Sequence, residues 1–198
     1  MTNERCLIEN LPFSAEQPLL EVVDSQDRLI RYETKEKIHK SGLLHRAFSV
    51  FLYDRSKRAV LIQRRALEKY HSGGLWSNSC CSHKYRNETW EESISRCLRD
   101  ELDLRERAAA ASIRHIGTFC YFSDYGANKE HEIDRVFICT PDAELCSKIK
   151  PNPEEIMDIK WMTIDEIDKA LKTAPKNFTS WFSEAYSYFK SAVPEIFS

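Results

Sequence analysis

Trp76-Ser77-Asn78-Ser79-Cys80-Cys81-Ser82-His83 is the stretch on which the reading of this chain turns. It follows a Gly73-Gly74 break and puts a thiol two residues before an imidazole. On an extended segment, residues two apart share a face, so Cys81 and His83 point the same way. Cys80 then points to the other side. Downstream come Glu88, Arg96, Asp100 and Glu101 on a helical pattern, and then Glu130-His131-Glu132 on a strand pattern. On that strand the two glutamates share a face and His131 points away. Two carboxylates on one face repel each other, so they call for a cation or a shared proton between them. A thiol, a histidine and spaced carboxylates together suggest a metal site beside a reactive cysteine.

Composition limits the alternatives. With 198 residues the chain is long enough for one well-buried domain and short for two. Its 42% hydrophobic and 30% charged residues suit a globular chain rather than a disordered one. A net charge of −2 gives no electrostatic case for nucleic acid or an anionic membrane. No run reaches the roughly 18 apolar residues that a membrane span needs. Seven cysteines is an odd number, and the first residues show no basic-then-apolar export pattern. Reduced thiols and a cytoplasmic location are therefore expected. The sequence leaves the oligomeric state open.

The element pattern is strand-rich. Residues 18–31 read as a hairpin around Asp24–Asp27, and Thr34–His39 as a short helix or turn. His45–Tyr53 and Ala59–Arg64 read as buried strands by their β-branched and aromatic content. Residues 88–102 form the clearest helix, with Trp90, Ile94, Cys97, Leu98 and Leu102 on one stripe and Glu92–Arg96 as a supporting i,i+4 pair. Strands are expected at 112–122, 132–140 and 157–162, with a polar loop at 123–129. Helices are expected at 164–172 and 178–189. This order predicts an α/β (α+β) fold, a mixed β-sheet sandwich flanked by helices. A single domain over 1–198 is expected, with residues 1–17 as an N-terminal arm.

The helix region keeps the register of the Nudix signature, in which Gly is followed after five residues by Glu and after seven more by Arg-Glu. Ser82 takes the Gly place, and Glu88, Arg96 and Glu101 fall at matching positions. Cys97 stands where the signature has an acid, Asp100 replaces Glu, and Asp103 replaces Gly. Acids one helical turn apart can share a hard cation that bridges a diphosphate. Loss of the acid at Cys97 favours an enzyme that binds diphosphate without hydrolysing it. Lys35, Arg64, Arg65 and Lys69 cluster around these segments, and arginine forks with lysine point charges suit a diphosphate.

Taken with His39 and His45 ahead of the first core strand, Arg64-Arg65-Ala66-Leu67, Glu130–Asp134, Pro151–Ile156 and Trp161, these motifs resemble type I isopentenyl-diphosphate isomerase, a Nudix-fold family. The resemblance runs from about Leu19 to Phe182. It implies interconversion of isopentenyl and dimethylallyl diphosphate by moving one proton on and one off an allylic unit. It implies that His39, His45, His83, Glu130 and Glu132 hold a divalent metal (Mn²⁺, Mg²⁺ or Zn²⁺), and that Glu101 holds a second Mg²⁺ against the diphosphate. Lys35, Arg65 and Lys69 match diphosphate-contacting positions, and Cys81 matches the catalytic cysteine. Glu132, aided by Tyr121, would donate the first proton and Cys81 would accept the second, with the π-face of Trp161 against the carbocation. The partner is then a small prenyl diphosphate. The alternative is a Nudix pyrophosphohydrolase of a nucleotide-type diphosphate, against which Cys97 and Cys81 argue. A metal-stabilised binding module is a further rival.

Overall fold

The structure, a computed structural model, describes residues 18–104 and 113–196. The expected N-terminal arm, residues 1–17, lies outside the described residues. Everything that matters for function hangs on β3 (His45–Asp54), whose ten residues are almost all buried. It pairs antiparallel with β1 (Leu19–Val23), with β6 (Cys80–His83) and, at its far end, with β4 (Ala59–Arg65). On its other edge it pairs parallel with β8 (Lys129–Cys139). β2 (Leu29–Thr34) completes a hairpin with β1, and β7 (Arg114–Asp124) completes one with β8. β5 (Trp76–Ser77) and β9 (Ile156–Thr163) flank β4. These nine strands form one mixed sheet, and five helices accompany them among the described residues.

Period-two alternation along β3 divides the core between its two faces. Phe48, Val50 and Leu52 pack with Ile94, Leu98 and Leu102 of α2 (Trp90–Leu102). Phe51 and Tyr53 turn the other way, against Phe182, Tyr186 and Phe189 of α5 (Phe182–Ile196). The smaller helices are α1 (Lys35–Ser41), α3 (Ala143–Ser147) and α4 (Ile164–Thr173). No helix among the described residues is long and apolar enough to cross a membrane.

Most of the expected elements form, with shifts that have local causes. α2 starts at Trp90 because Thr89 caps it: the Thr89 side chain accepts from the Glu92 backbone, and the Glu92 carboxylate accepts from the Thr89 backbone. Glu92 is thereby taken by the cap, and Arg96 pairs with Glu88 at 2.7 Å instead of with Glu92. The expected loop at 123–129 is shorter, because β7 and β8 stay paired from Ser123–Glu130 to Asp124–Lys129. The last helix begins at Phe182 rather than Phe178, after a 3₁₀ turn at Pro175–Asn177.

The loop between β4 and β5 curls tightly on itself. A Cβ on Gly73 would meet the Leu67 carbonyl oxygen at 2.4 Å, a backbone contact that no rotamer change relieves. Gly73→Ala is expected to destabilise the protein by about 1–3 kcal/mol, the usual cost of overpacking. Denaturant unfolding checks this, and an unchanged midpoint would show that the loop is not held as described.

Candidate active site

Strand register assembles the site. His45 on β3 lies opposite Glu132 on β8, and Glu132 lies opposite Tyr121 on β7. Cross-strand partners share a face, so the three side chains form one row. His83 enters from β6, paired opposite Ala47. His39 comes from the last turn of α1, a helix capped by Thr34 and closed by Gly42 in the left-handed region at φ 65°. Ligand atoms of His39, His45, His83, Glu130 and Glu132 all lie within 4.8 Å of one another. His131, between the two glutamates, points away and meets the Gly42 carbonyl at 3.1 Å.

Hydrogen bonds set the imidazoles. His39 Nδ1 lies 2.7 Å from the Lys35 carbonyl, and His45 Nδ1 lies 2.8 Å from the Leu43 carbonyl. A carbonyl only accepts, so Nδ1 carries the proton in both rings and Nε2 faces inward. Both Nε2 atoms are buried without a hydrogen-bond partner, although carboxylate oxygens stand 3.3 and 3.4 Å away. Orphaned nitrogen lone pairs facing acids ask for a cation between them, and outward Nδ1–carbonyl bonds are how metal-binding histidines are usually held. Three imidazole nitrogens and two carboxylates therefore fit a divalent metal ion.

The electrostatics agree. Burial would push the Glu130 carboxyl up, but the nearby imidazoles of His39 and His71 hold it well below the usual range. Burial and the neighbouring Glu130 charge push Glu132 up. Burial would lower His45, but Glu132 raises it above an ordinary imidazole. Burial and the Lys35 charge drive His83 well down, so it offers a lone pair without first losing a proton.

Of these side chains, His83, Glu130 and Glu132 line a cavity of about 210 Å³. Tyr121 reaches in and donates to Glu132 Oε2 at 2.6 Å. Cys81 and His83 both line the cavity, as their spacing predicts, while Cys80 is sealed in the core. Burial pushes the Cys81 thiol well up, against the opposing charge of Arg65, whose Nη1 is 3.9 Å from the sulfur. Arg65 Nε is buried with no hydrogen-bond partner. Lys35 lines the same cavity, its ammonium form disfavoured by burial and by the Lys69 charge. Lys69 pairs with Glu155. Glu101 lies outside the five-residue group, accepting from Gln63 at 3.0 Å and Cys97 at 3.3 Å, with its carboxyl raised to about 7 by burial and by Glu155. Glu88 is engaged by Arg96 and Ser93, and Arg96 reaches the His83 carbonyl at 3.0 Å, so this pair buttresses β6.

Trp161 corrects the sequence expectation. It sits on β9 opposite Leu61, packs beside the α2-side core with Lys57 4.9 Å over its ring, and does not line the cavity. The tryptophan on the cavity wall is Trp181, anchored by its Nε1–H to Asn78 Oδ1 at 3.1 Å and lying 6.0 Å from the Tyr121 ring. In the sequence Trp181 reads only as part of an apolar helical stripe. Tyr70 and His71 were also missed, and they belong to the glycine-broken loop ahead of the cysteine segment.

A mixed sheet between helices, with this cavity at one end and the helix register kept at Glu88 and Arg96, defines the class. The NUDIX domain model matches residues 43–182, and the chain belongs to the Nudix family. Within it, the chain groups with the isopentenyl-diphosphate Delta-isomerases. It is 38% identical over 170 residues to the protein so named in Photobacterium profundum, spanning 84% of this chain and 91% of that one. It is 35% identical over 165 residues to the one in Serratia proteamaculans, spanning 83% and 87%. The fold is shared with DR0079 from Deinococcus radiodurans (TM-score 0.60, 20% identity, 79% of this chain and 90% of that one). It is also shared with a MutT protein from Methanosarcina mazei (TM-score 0.56, 14% identity, 75% and 94%).

Protons compete with a cation for His45 Nε2, and its raised pKa lets them compete at a higher pH than at an ordinary imidazole. Mn²⁺ affinity is expected to fall by roughly tenfold for each pH unit below that pKa. Titration between about pH 8 and about pH 6 checks this. Affinity that does not vary across that interval would contradict the histidine shell.

Proposed function

We propose that this chain interconverts isopentenyl and dimethylallyl diphosphate, with Cys81 and the Glu132–Tyr121 pair exchanging protons with the substrate from separate walls of one cavity. The observation that carries the reading is the coexistence of a half-buried, protonated thiol with a carboxylate hydrogen-bonded to a tyrosine, both lining a cavity that also holds Arg65 and Lys35. Hydrolysis of a diphosphate has no use for the thiol. Cys97, in the place of a signature acid, is buried and donates to Glu101, which removes a carboxylate that a hydrolase would need.

The reaction moves one proton on and one off. In the forward direction the terminal alkene carbon gains a proton, the charge settles on the tertiary carbon, and the neighbouring CH₂ loses a proton to leave the new double bond. Burial keeps the Cys81 thiol in its neutral form and also pushes Glu132 and Tyr121 toward their protonated forms, so both walls of the cavity carry a group able to exchange a proton. A divalent cation held by His39, His45, His83, Glu130 and Glu132 would keep both carboxylates ionised; Mn²⁺, Mg²⁺ and Zn²⁺ suit that donor set. Glu101, set apart near Lys69 and Glu155, suits a second Mg²⁺ on the diphosphate side. Arg65 and Lys35 would take the diphosphate oxygens, and Lys69 would join them on leaving Glu155. Trp181, rather than Trp161, would offer its π-face to the carbocation. The cavity walls would keep water from the cation.

Cys81→Ala and Glu132→Gln are each expected to lower kcat by at least about 10²–10⁴-fold, the scale of acid–base catalysis. Trp181→Leu should cost roughly 30-fold or more, matching about 2 kcal/mol of cation–π stabilisation, and Trp161→Leu should change kcat little. Steady-state assays of isopentenyl diphosphate isomerisation decide it. Near-normal turnover in Cys81→Ala, or a larger loss at Trp161 than at Trp181, would overturn the assignment.

A further inference from the structure

His71 touches the candidate metal cluster without belonging to the group of converging ligand atoms. Its Nε2 lies 2.9 Å from Glu130 Oε1, and the Tyr70 hydroxyl donates to the same oxygen at 3.2 Å. An ionised carboxylate only accepts, so His71 donates here. The same Oε1 stands 3.3 Å from His39 Nε2, so the atom that His71 and Tyr70 hold is the one turned toward the ligand cluster.

The His71 ring is fixed on its other sides. It stacks on Tyr125 with centroids 4.8 Å apart and planes at 17°, and meets Trp181 edge-on at 5.8 Å. Its Nδ1 is 3.1 Å from Ser72 Oγ, which donates to the Tyr125 hydroxyl at 3.3 Å. The Tyr125 hydroxyl is in turn 3.1 Å from Ser180 Oγ. The His71 carbonyl accepts from Arg65 Nη2 at 3.4 Å. One buried side chain thus joins the β4–β5 loop, the tip of the β7–β8 hairpin and the segment carrying Trp181.

We propose that His71, assisted by Tyr70, is a positioning residue that aims Glu130 at the bound cation and couples metal binding to the placement of Arg65 and Trp181. This rests on the reading that His39, His45, His83, Glu130 and Glu132 hold a divalent metal. Partners behind a ligating carboxylate typically contribute about 10–100-fold in metal affinity.

The test uses Co²⁺, whose visible absorption reports its coordination, titrated into the full chain. His71→Ala is expected to weaken Co²⁺ binding by about 10–100-fold and to shift the spectrum. His71→Gln, whose amide nitrogen can reach the place of Nε2, should restore most of the affinity. Tyr125→Leu, which removes the stacked ring and its hydroxyl contacts to Ser72 and Ser180 but no group on Glu130, should weaken binding less and in the same direction. Should His71→Ala fail to fold, the other two variants carry the comparison. Wild-type affinity and spectrum in His71→Ala would overturn the proposal, as would a Gln variant as weak as Ala, or a rise in KM with the spectrum unchanged. Absence of Co²⁺ binding by the unaltered protein would instead sink the five-residue reading, and this proposal with it.

Discussion

Two glutamates, Glu130 and Glu132, are buried side by side on one face of β8, at 2% and 6% exposure. Charged carboxylates are almost never buried without a positive partner, and two together are costlier still. Much of the site answers that constraint. Three imidazoles converge on the pair, Tyr121 and Tyr70 donate to it from two sides, and His71 closes it from the loop. The parallel pairing of β3 with β8 is what brings His45 level with Glu132, so the sheet topology and the electrostatics are one arrangement.

The same alternation explains how two adjacent cysteines have different fates. On β6, Cys80 faces the apolar layer beneath α2, while Cys81 faces the cavity with His83. Burial raises both thiols, but only Cys81 has Arg65 and open space before it. A neutral thiol beside a cationic pocket is a proton carrier in waiting. A cysteine turned into the core acts as a small hydrophobe.

The legible part of the site was the part written in strand periodicity. The i,i+2 spacings of Cys81–His83 and Glu130–Glu132 predicted which side chains share a face, and both pairs line the cavity. The family resemblance added His39 and His45, which lie on separate elements and have no spacing signal of their own. What escaped was set by tertiary placement. The carbocation role went to Trp161, and only the packing of β9 against β4 shows that Trp161 is turned from the cavity while Trp181, read as part of an apolar stripe, enters it. Tyr70 and His71 sit in a loop whose curl depends on Gly73, and no periodicity reports where a loop side chain ends. The Glu92–Arg96 pair failed because a helix cap took the carboxylate first, a local competition that spacing alone does not rank.

The central claim is that this cavity moves protons on carbon rather than breaking a phosphate bond. Incubating the metal-loaded protein with isopentenyl diphosphate in D₂O, and following the product by NMR, tests it directly. The account predicts dimethylallyl diphosphate carrying deuterium from solvent, with no phosphate or pyrophosphate released. Released phosphate or pyrophosphate without the isomer, or no change with metal bound, would contradict it.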